Sequence, residues 1–223
     1  MKIREIEIQG VIFDIDGTLL DSMPIWQEVT SRYLEGLGIT PAPDLGDRIF
    51  HMSLKEGIHF VKEQYQLTQS EQEIEDGVVE LIRHFYYEEA QLKKGVREFV
   101  QRLASENIPM MLATSGDRDL ATHALARLGI LQDFLALYTC DMFATNKREP
   151  KIFQLAQTKM EQEKCHPIPT DKIFVFEDSI SAIHTAKDAG FQTVGILDMA
   201  SNGAWEEIKA TATLYVSGMD ELA

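Results

Sequence analysis

Three short apolar runs constrain this chain most: VIFD at 11–14, MMLAT at 110–114 and FVFED at 174–178. Each is continuous rather than alternating, as in strands covered on both faces, and the first and third end in acids while the second ends in threonine. Helical patterns accompany them at 96–107 (VREFVQRLASEN), 118–129 (RDLATHALARLG) and 179–190 (SISAIHTAKDAG), and the last two close on Gly129 and Gly190. TVGIL at 193–197 and TLYV at 213–216 read as further strands. This alternation predicts an α/β chain: a parallel sheet with helices on both faces.

Residues 19–92 break the alternation. Helix-favouring stretches cover 26–38, 54–66 and 71–92, with Ile74, Val78, Leu81, Ile82 and Phe85 at helical spacing. The simplest organisation is an α-helical insert at 19–92, with residues 1–18 and 93–223 forming the sheet domain. Crossings near 18–22 and 91–95 would form a hinge.

The 36 acidic and 21 basic side chains leave a formal charge of −15, which repels nucleic acid and anionic lipid. Neither is expected as a partner, and no obligate protein partner is evident. An anionic substrate would need local help from a cation. No apolar run reaches transmembrane length, and no signal peptide is recognisable. Cys140 and Cys165 are too few for a disulfide framework or a closed zinc site, so a cytoplasmic protein with reduced thiols is expected.

In open parallel sheets ligands bind beyond the carboxyl ends of the strands. Those ends supply Asp14-Ile15-Asp16, Thr114-Ser115 and Glu177-Asp178 from three distant segments. Asp14 and Asp16 are two apart on an extended chain, so they share a side while Ile15 packs away. Asp-Gly is also a hairpin signal, but no alternating strand returns after Gly17. Buried carboxylates are costly unless compensated, and a divalent cation answers that cost. Magnesium accepts carboxylate and carbonyl oxygens; Asp14 and Asp178 are the natural carboxylate donors, with the Asp16 carbonyl as a third. Thr114 to Asp117 read as a helix cap, and the free amides of a helix start also hold phosphate. Glu177-Asp178 permits the same double reading, with two acids favouring metal over a cap alone. Lys147, in TNKREPKIF, reads from spacing alone as a surface charge; only the company of the acids singles it out.

DIDGT, LATS, a lysine upstream of Pro-x-x-Phe and FEDS together resemble the four motifs of the haloacid dehalogenase-like superfamily, across essentially the whole chain. The resemblance implies a Rossmann-like core with a helical cap at 19–92, and a magnesium-dependent phosphatase of small phosphorylated metabolites. By that resemblance Asp14 is the nucleophile that becomes an aspartyl phosphate, and Asp16 is the general acid and base. Thr114, Ser115 and Lys147 hold the phosphate. Asp178 binds the metal with Asp14 and Asp16, and Glu177 is beside it as ligand or support. His51 and Lys55, with Arg83, are candidate substrate contacts in the cap.

The branch of the family with this cap placement contains β-phosphoglucomutase and sugar-phosphate phosphatases. Mutase-like patterns carry valine at the place of Thr18, a hinge histidine at that of Trp26 and a lysine at that of Asp117. These differences favour a hydrolase, while Lys55, roughly matching a cap arginine of mutases, keeps a phosphomutase as the alternative. Arg148 stands where proline is usual in the third motif. A non-catalytic phospho-acceptor module ranks third, because it would leave Asp16 and a cap of this size without a task.

Overall fold

The computed structural model describes residues 2–3, 6–50, 52–200 and 202–222. The chain divides into two compact units, Met1–Asp21 with Gln91–Ala223, and Ser22–Ala90.

The second unit is helical: α1 (Met23–Gly36), α2 (Leu45–Ile49), α3 (Leu54–Tyr65) and α4 (Glu71–His84). α3 and α4 each start on a capping box, Ser53 with Glu56 and Ser70 with Glu73, which satisfies amides that the first turn leaves open. α4 buries Ile74, Val78 and Ile82 along one stripe. Gly77 lies where α4 meets α1: a Cβ there would fall 2.5 Å from the ring of Tyr33. The helical run expected through residue 92 ends earlier. After His84 the chain makes one π-helical turn, Phe85–Glu89, and leaves the helix at Ala90, whose amide bonds to the Phe85 carbonyl at 2.8 Å. α2 had no clear signal because one and a half turns are too short to show periodicity.

The first unit begins with a small antiparallel ribbon, β1 (Lys2–Ile3) against β2 (Ile6–Glu7). Its main sheet contains β3 (Gly10–Phe13), β4 (Met110–Thr114), β5 (Leu137–Thr139), β6 (Ile173–Glu177), β7 (Gln192–Ile196) and β8 (Leu214–Val216). All six strands are parallel, in the order β5-β4-β3-β6-β7-β8. The helices are α5 (Val96–Ser105), α6 (Arg118–Arg127), α7 (Lys151–Lys164), α8 (Ile180–Asp188) and α9 (Trp205–Thr211). This is a Rossmann-like α/β fold, with β3 between β4 and β6.

Burial on both faces explains the unbroken apolar runs. Ile12, Met111, Ala113, Ile173 and Val175 join a core with Phe153, Ala156 and Met160 of α7. The alternate residues Phe13 and Phe176 stack with Phe99 of α5, at centroid distances of 4.7–6.3 Å. α5 buries Val96, Phe99, Val100 and Leu103, a single helical face. It starts at Gly95 with φ +77°, where a Cβ would lie 2.0 Å from the Asp220 amide nitrogen, so no other residue fits.

The sheet unit keeps residues 19–21 and 91–92, beyond the boundaries at 18 and 93 read from the sequence. The cause is local pairing. Leu20 bridges Leu92, Asp21 N–H bonds to Gln91 O at 2.9 Å, and Lys93 N–H bonds to Leu19 O at 2.9 Å. Lys93 is then tied down by the buried Asp198 carboxylate and the Leu197 carbonyl, both at 2.7 Å. Among the described residues no helix is long and apolar enough to cross a membrane.

Candidate active site

Asp14 follows the last residue of β3, and its amide bonds to Phe176 O at 3.0 Å, continuing the pairing with β6 past the strand end. The chain then closes into a tight loop. The Ile15 carbonyl accepts from the amides of Thr18, Leu19 and Leu20 at 2.8–3.3 Å, and Gly17 takes φ +77°. Ile15 itself is fully buried. The two aspartates therefore leave a rigid turn rather than a hairpin.

The Asp14 carboxylate, 7% exposed, accepts a hydrogen bond from Lys147 Nζ. The same Nζ reaches Glu177 Oε1 at 2.6 Å. Glu177, at the end of β6 and 1% exposed, uses Oε2 to accept from the amides of Asp178 and Ser179 at 3.0 and 3.1 Å. Both of its oxygens are thus engaged at the start of α8. One oxygen each of Asp14, Glu177 and Asp178 lies within 4.8 Å of the others.

Asp16 takes a different neighbourhood. A Cβ on Gly116 would lie 2.6 Å from Asp16 Oδ2 and 3.2 Å from Thr114 Oγ1, which places the Asp16 carboxylate against the turn after β4. In that turn Thr114 Oγ1 accepts from the Gly116 amide at 2.9 Å, and Thr114 is 1% exposed. Ser115 is exposed, with Oγ 3.5 Å from Cys140 Sγ. Asp117 caps α6 by accepting from the amides of Asp119 and Leu120. The requirement for glycine at 116 escaped sequence reading, although Thr-Ser-Gly-Asp is legible as a turn.

Lys147, read from spacing as a surface charge, is mostly buried, with 10% of its side chain exposed. Its loop is braced by Asn146, whose Oδ1 accepts from the Arg148 amide at 2.8 Å, so arginine at 148 does not leave the loop unstructured. Burial opposes the Lys147 charge, but Asp14 and Glu177 outweigh it and raise its pKa above the ordinary lysine value. Burial, and then the Glu177 carboxylate, push the Asp14 carboxyl well above the usual carboxylate range despite Lys147. Asp14, Glu177 and Asp178 together offer an all-oxygen donor set, which suits a hard divalent cation.

The candidate substrate contacts of the helical unit are not gathered in this way. His51 lies outside the described residues. Lys55 lines a shallow depression with Glu71, Gln72 and Glu75, and Arg83 pairs with Glu80 at 2.9 Å.

Strand-end acids, a buried lysine and a helix-capping turn on one parallel sheet define a class of phosphoryl-handling α/β enzymes. The family model of haloacid dehalogenase-like hydrolases matches residues 11–196, and the chain belongs to that family. Its similarity to the phosphorylated carbohydrates phosphatase of Thermotoga maritima is 30% identity over 197 residues, covering 88% of each chain. It is 25% identical to the phosphoglycolate phosphatase of Photobacterium profundum, covering 85% of this chain and 83% of that one. A crystal structure from Thermotoga maritima, provisionally assigned as a beta-phosphoglucomutase, superposes with TM-score 0.81 at 28% identity and 94% coverage of both chains. Within the family, the protein is an enzyme of the phosphatase type.

Proposed function

We propose that this protein is a magnesium-dependent phosphatase of small phosphorylated metabolites such as sugar phosphates, working through an aspartyl phosphate on Asp14. The observation that carries the reading is Lys147 Nζ, bonded at once to Asp14 and Glu177 inside the acidic cluster. A buried cation placed against a carboxylate is a ready partner for a phosphoryl group. Magnesium, held by Asp14, Asp178 and the Asp16 carbonyl with Glu177 beside them, would supply further neutralisation of phosphoryl charge.

An Asp14 carboxylate oxygen attacks phosphorus, and the bond to the leaving oxygen breaks. Thr114 Oγ1, the Ser115 amide and Lys147 hold the phosphoryl oxygens. Asp16 gives its proton to the leaving alcohol. It then takes a proton from water, whose oxygen attacks the phosphoryl group, releasing phosphate and restoring Asp14. The separate environments of Asp14 and Asp16 suit this division of labour: one lies beside the lysine, the other beside the phosphate-holding turn. The helical unit is proposed as the cap that reads the leaving group. The exposed free thiol of Cys165 supports a reducing, cytoplasmic setting.

Inorganic phosphate release from a panel of sugar, nucleotide and polyol phosphates tests this, with Asp14→Asn and EDTA run in parallel. Release abolished by both supports the reading. Release that survives Asp14→Asn overturns Asp14 as nucleophile, and no release from folded, magnesium-loaded protein overturns the phosphatase.

A further inference from the structure

Lys93 and Asp198 form a buried ion pair that the chemistry proposed above does not use. Lys93 Nζ donates to Asp198 Oδ2 and to the Leu197 carbonyl, each at 2.7 Å. Only 12% of the lysine side chain and 3% of the aspartate side chain are exposed. The other carboxylate oxygen, Oδ1, accepts from the Ala200 amide at 2.9 Å. Asp198 stands just past the end of β7, and the Leu197 amide bonds to Val216 O at 3.0 Å, so the acceptors of Lys93 are fastened to the β7-β8 pair. A buried ion pair is a weak source of stability, since well-packed apolar residues of similar volume often serve as well. What it adds is direction: an ammonium held by two oxygens fixes where the lysine backbone stands.

That backbone leads to Asp16. The Lys93 amide donates to Leu19 O at 2.9 Å, beside the bridge between Leu20 and Leu92. The Leu19 and Leu20 amides donate to Ile15 O at 2.9 and 2.8 Å, and the Gly17 amide donates to Leu20 O at 3.0 Å. Both peptide groups flanking Asp16 are thus held by Leu19 and Leu20, and the next bond outward goes to Lys93. All of these residues belong to the sheet unit. Leu19 and Leu20 are fully buried, but apolar burial is non-directional and does not by itself fix how far the loop advances over the sheet. Asp14 is held separately, by its amide bond to Phe176 O in β6.

We infer that Lys93 and Asp198 are positioning residues for Asp16: the pair holds the 15–20 loop so that the Asp16 carboxyl meets the leaving oxygen. Asp14 and the phosphate-holding groups keep their places without it. The inference rests on the phosphatase reading, in which Asp16 gives its proton to the leaving alcohol. That transfer needs hydrogen-bond distance, and a misplacement of ~1 Å costs about a hundredfold in rate.

The test compares wild type with Lys93→Met, Lys93→Met/Asp198→Asn and Asp16→Asn. The single variant leaves a buried carboxylate without its partner. The double variant removes both charges and keeps the fold, because the Met219 amide, bonded to Lys94 O at 2.9 Å, still guides the chain into α5. Circular dichroism establishes this. kcat/KM covers the steps through departure of the leaving group, and it is measured on two esters. One is the most active sugar or polyol phosphate, whose alkoxide needs a proton; the other is para-nitrophenyl phosphate, whose phenolate leaves without one. In the double variant the first should fall about a hundredfold, the cost of such a misplacement. The second should change little, and inhibition by inorganic phosphate should be unaltered. Equal losses on both esters, or no loss on either, overturn the inference, since a pair that only stabilises the fold does not distinguish leaving groups. If Asp16→Asn spares the alkyl ester, Asp16 is not the acid and the inference falls with that role.

If wild type releases phosphate from no ester, the phosphatase reading falls, and amide hydrogen exchange decides the anchoring by itself. Faster exchange at Gly17, Leu19 and Leu20 in the double variant, with Asp14 unchanged, retains the pair as the anchor of Asp16. Unchanged exchange at all four amides removes the inference as well.

Discussion

Replacing Lys147 by methionine keeps the length of the side chain and removes its charge. The consequence follows from burial. Lys147 is 10% exposed and bridges Asp14 and Glu177, which are 8% and 1% exposed at their side chains. Removing one partner of a buried ion pair costs about 3–5 kcal/mol, because the other is left without compensation. Two carboxylates are orphaned here, but the raised pKa of Asp14 lets one of them take a proton and limits the loss. We therefore expect the lower end, about 3 kcal/mol, in EDTA at neutral pH. That corresponds to a melting temperature lower by roughly 6–12 °C for a chain of this size.

Magnesium should recover most of it. At a hundredfold excess over Kd a ligand stabilises by about 2.7 kcal/mol, and the variant's pocket, one positive charge poorer, should bind the ion more tightly than the wild type. Calorimetric or fluorescence melts with EDTA and with magnesium, on both proteins, make the comparison. The gain from magnesium should be larger in Lys147→Met, while phosphate release stays lost in both conditions. Equal melting temperatures in EDTA, or equal gains from magnesium, would refute Lys147 as the counter-charge of the cluster.

In metal-free protein the raised Asp14 pKa makes a stabilising contribution that is complete below the unfolded carboxyl value of about 3.9. It is lost as pH rises through the higher folded value, so Asp14→Asn should flatten that part of the pH–stability curve in EDTA; parallel urea-midpoint profiles would refute it. Gly116→Ala should lower kcat by at least about a hundredfold, the loss expected when one preorganised site group is displaced, because its Cβ would sit 2.6 Å from Asp16 Oδ2. Steady-state kinetics, with circular dichroism to establish the fold, measure this. Thr18 Oγ1 is buried and has no hydrogen-bond partner among the described residues. Thr18→Val should therefore stabilise by about 1 kcal/mol, and a lower urea midpoint would reveal a partner for the hydroxyl.

Local sequence determined much of this protein. The continuous runs at β3, β4 and β6 declare strands buried on both faces, since an exposed face would have required polar alternation. Residues 19–92 declare helices because apolar side chains recur at helical spacing. The serines and glutamates at the starts of α3 and α4 satisfy open amides within four residues. Two short elements gave no such signal. β5, with three residues, and α2, with five, are held by their neighbours rather than by a pattern of their own.

Tertiary structure alone decided the site's electrostatics. Asp14, Lys147 and Glu177 lie 133 and 30 residues apart in sequence, and only the order β4-β3-β6 and the loop before α7 bring them into hydrogen-bond contact. Lysine is surface-seeking on composition grounds, so its burial could not be read from TNKREP. The same holds for the intolerance of a side chain at Gly116 and the buried pairing of Lys93 with Asp198. Both depend on atoms from segments far apart in the chain, and periodicity carries no information about which distant segments will meet.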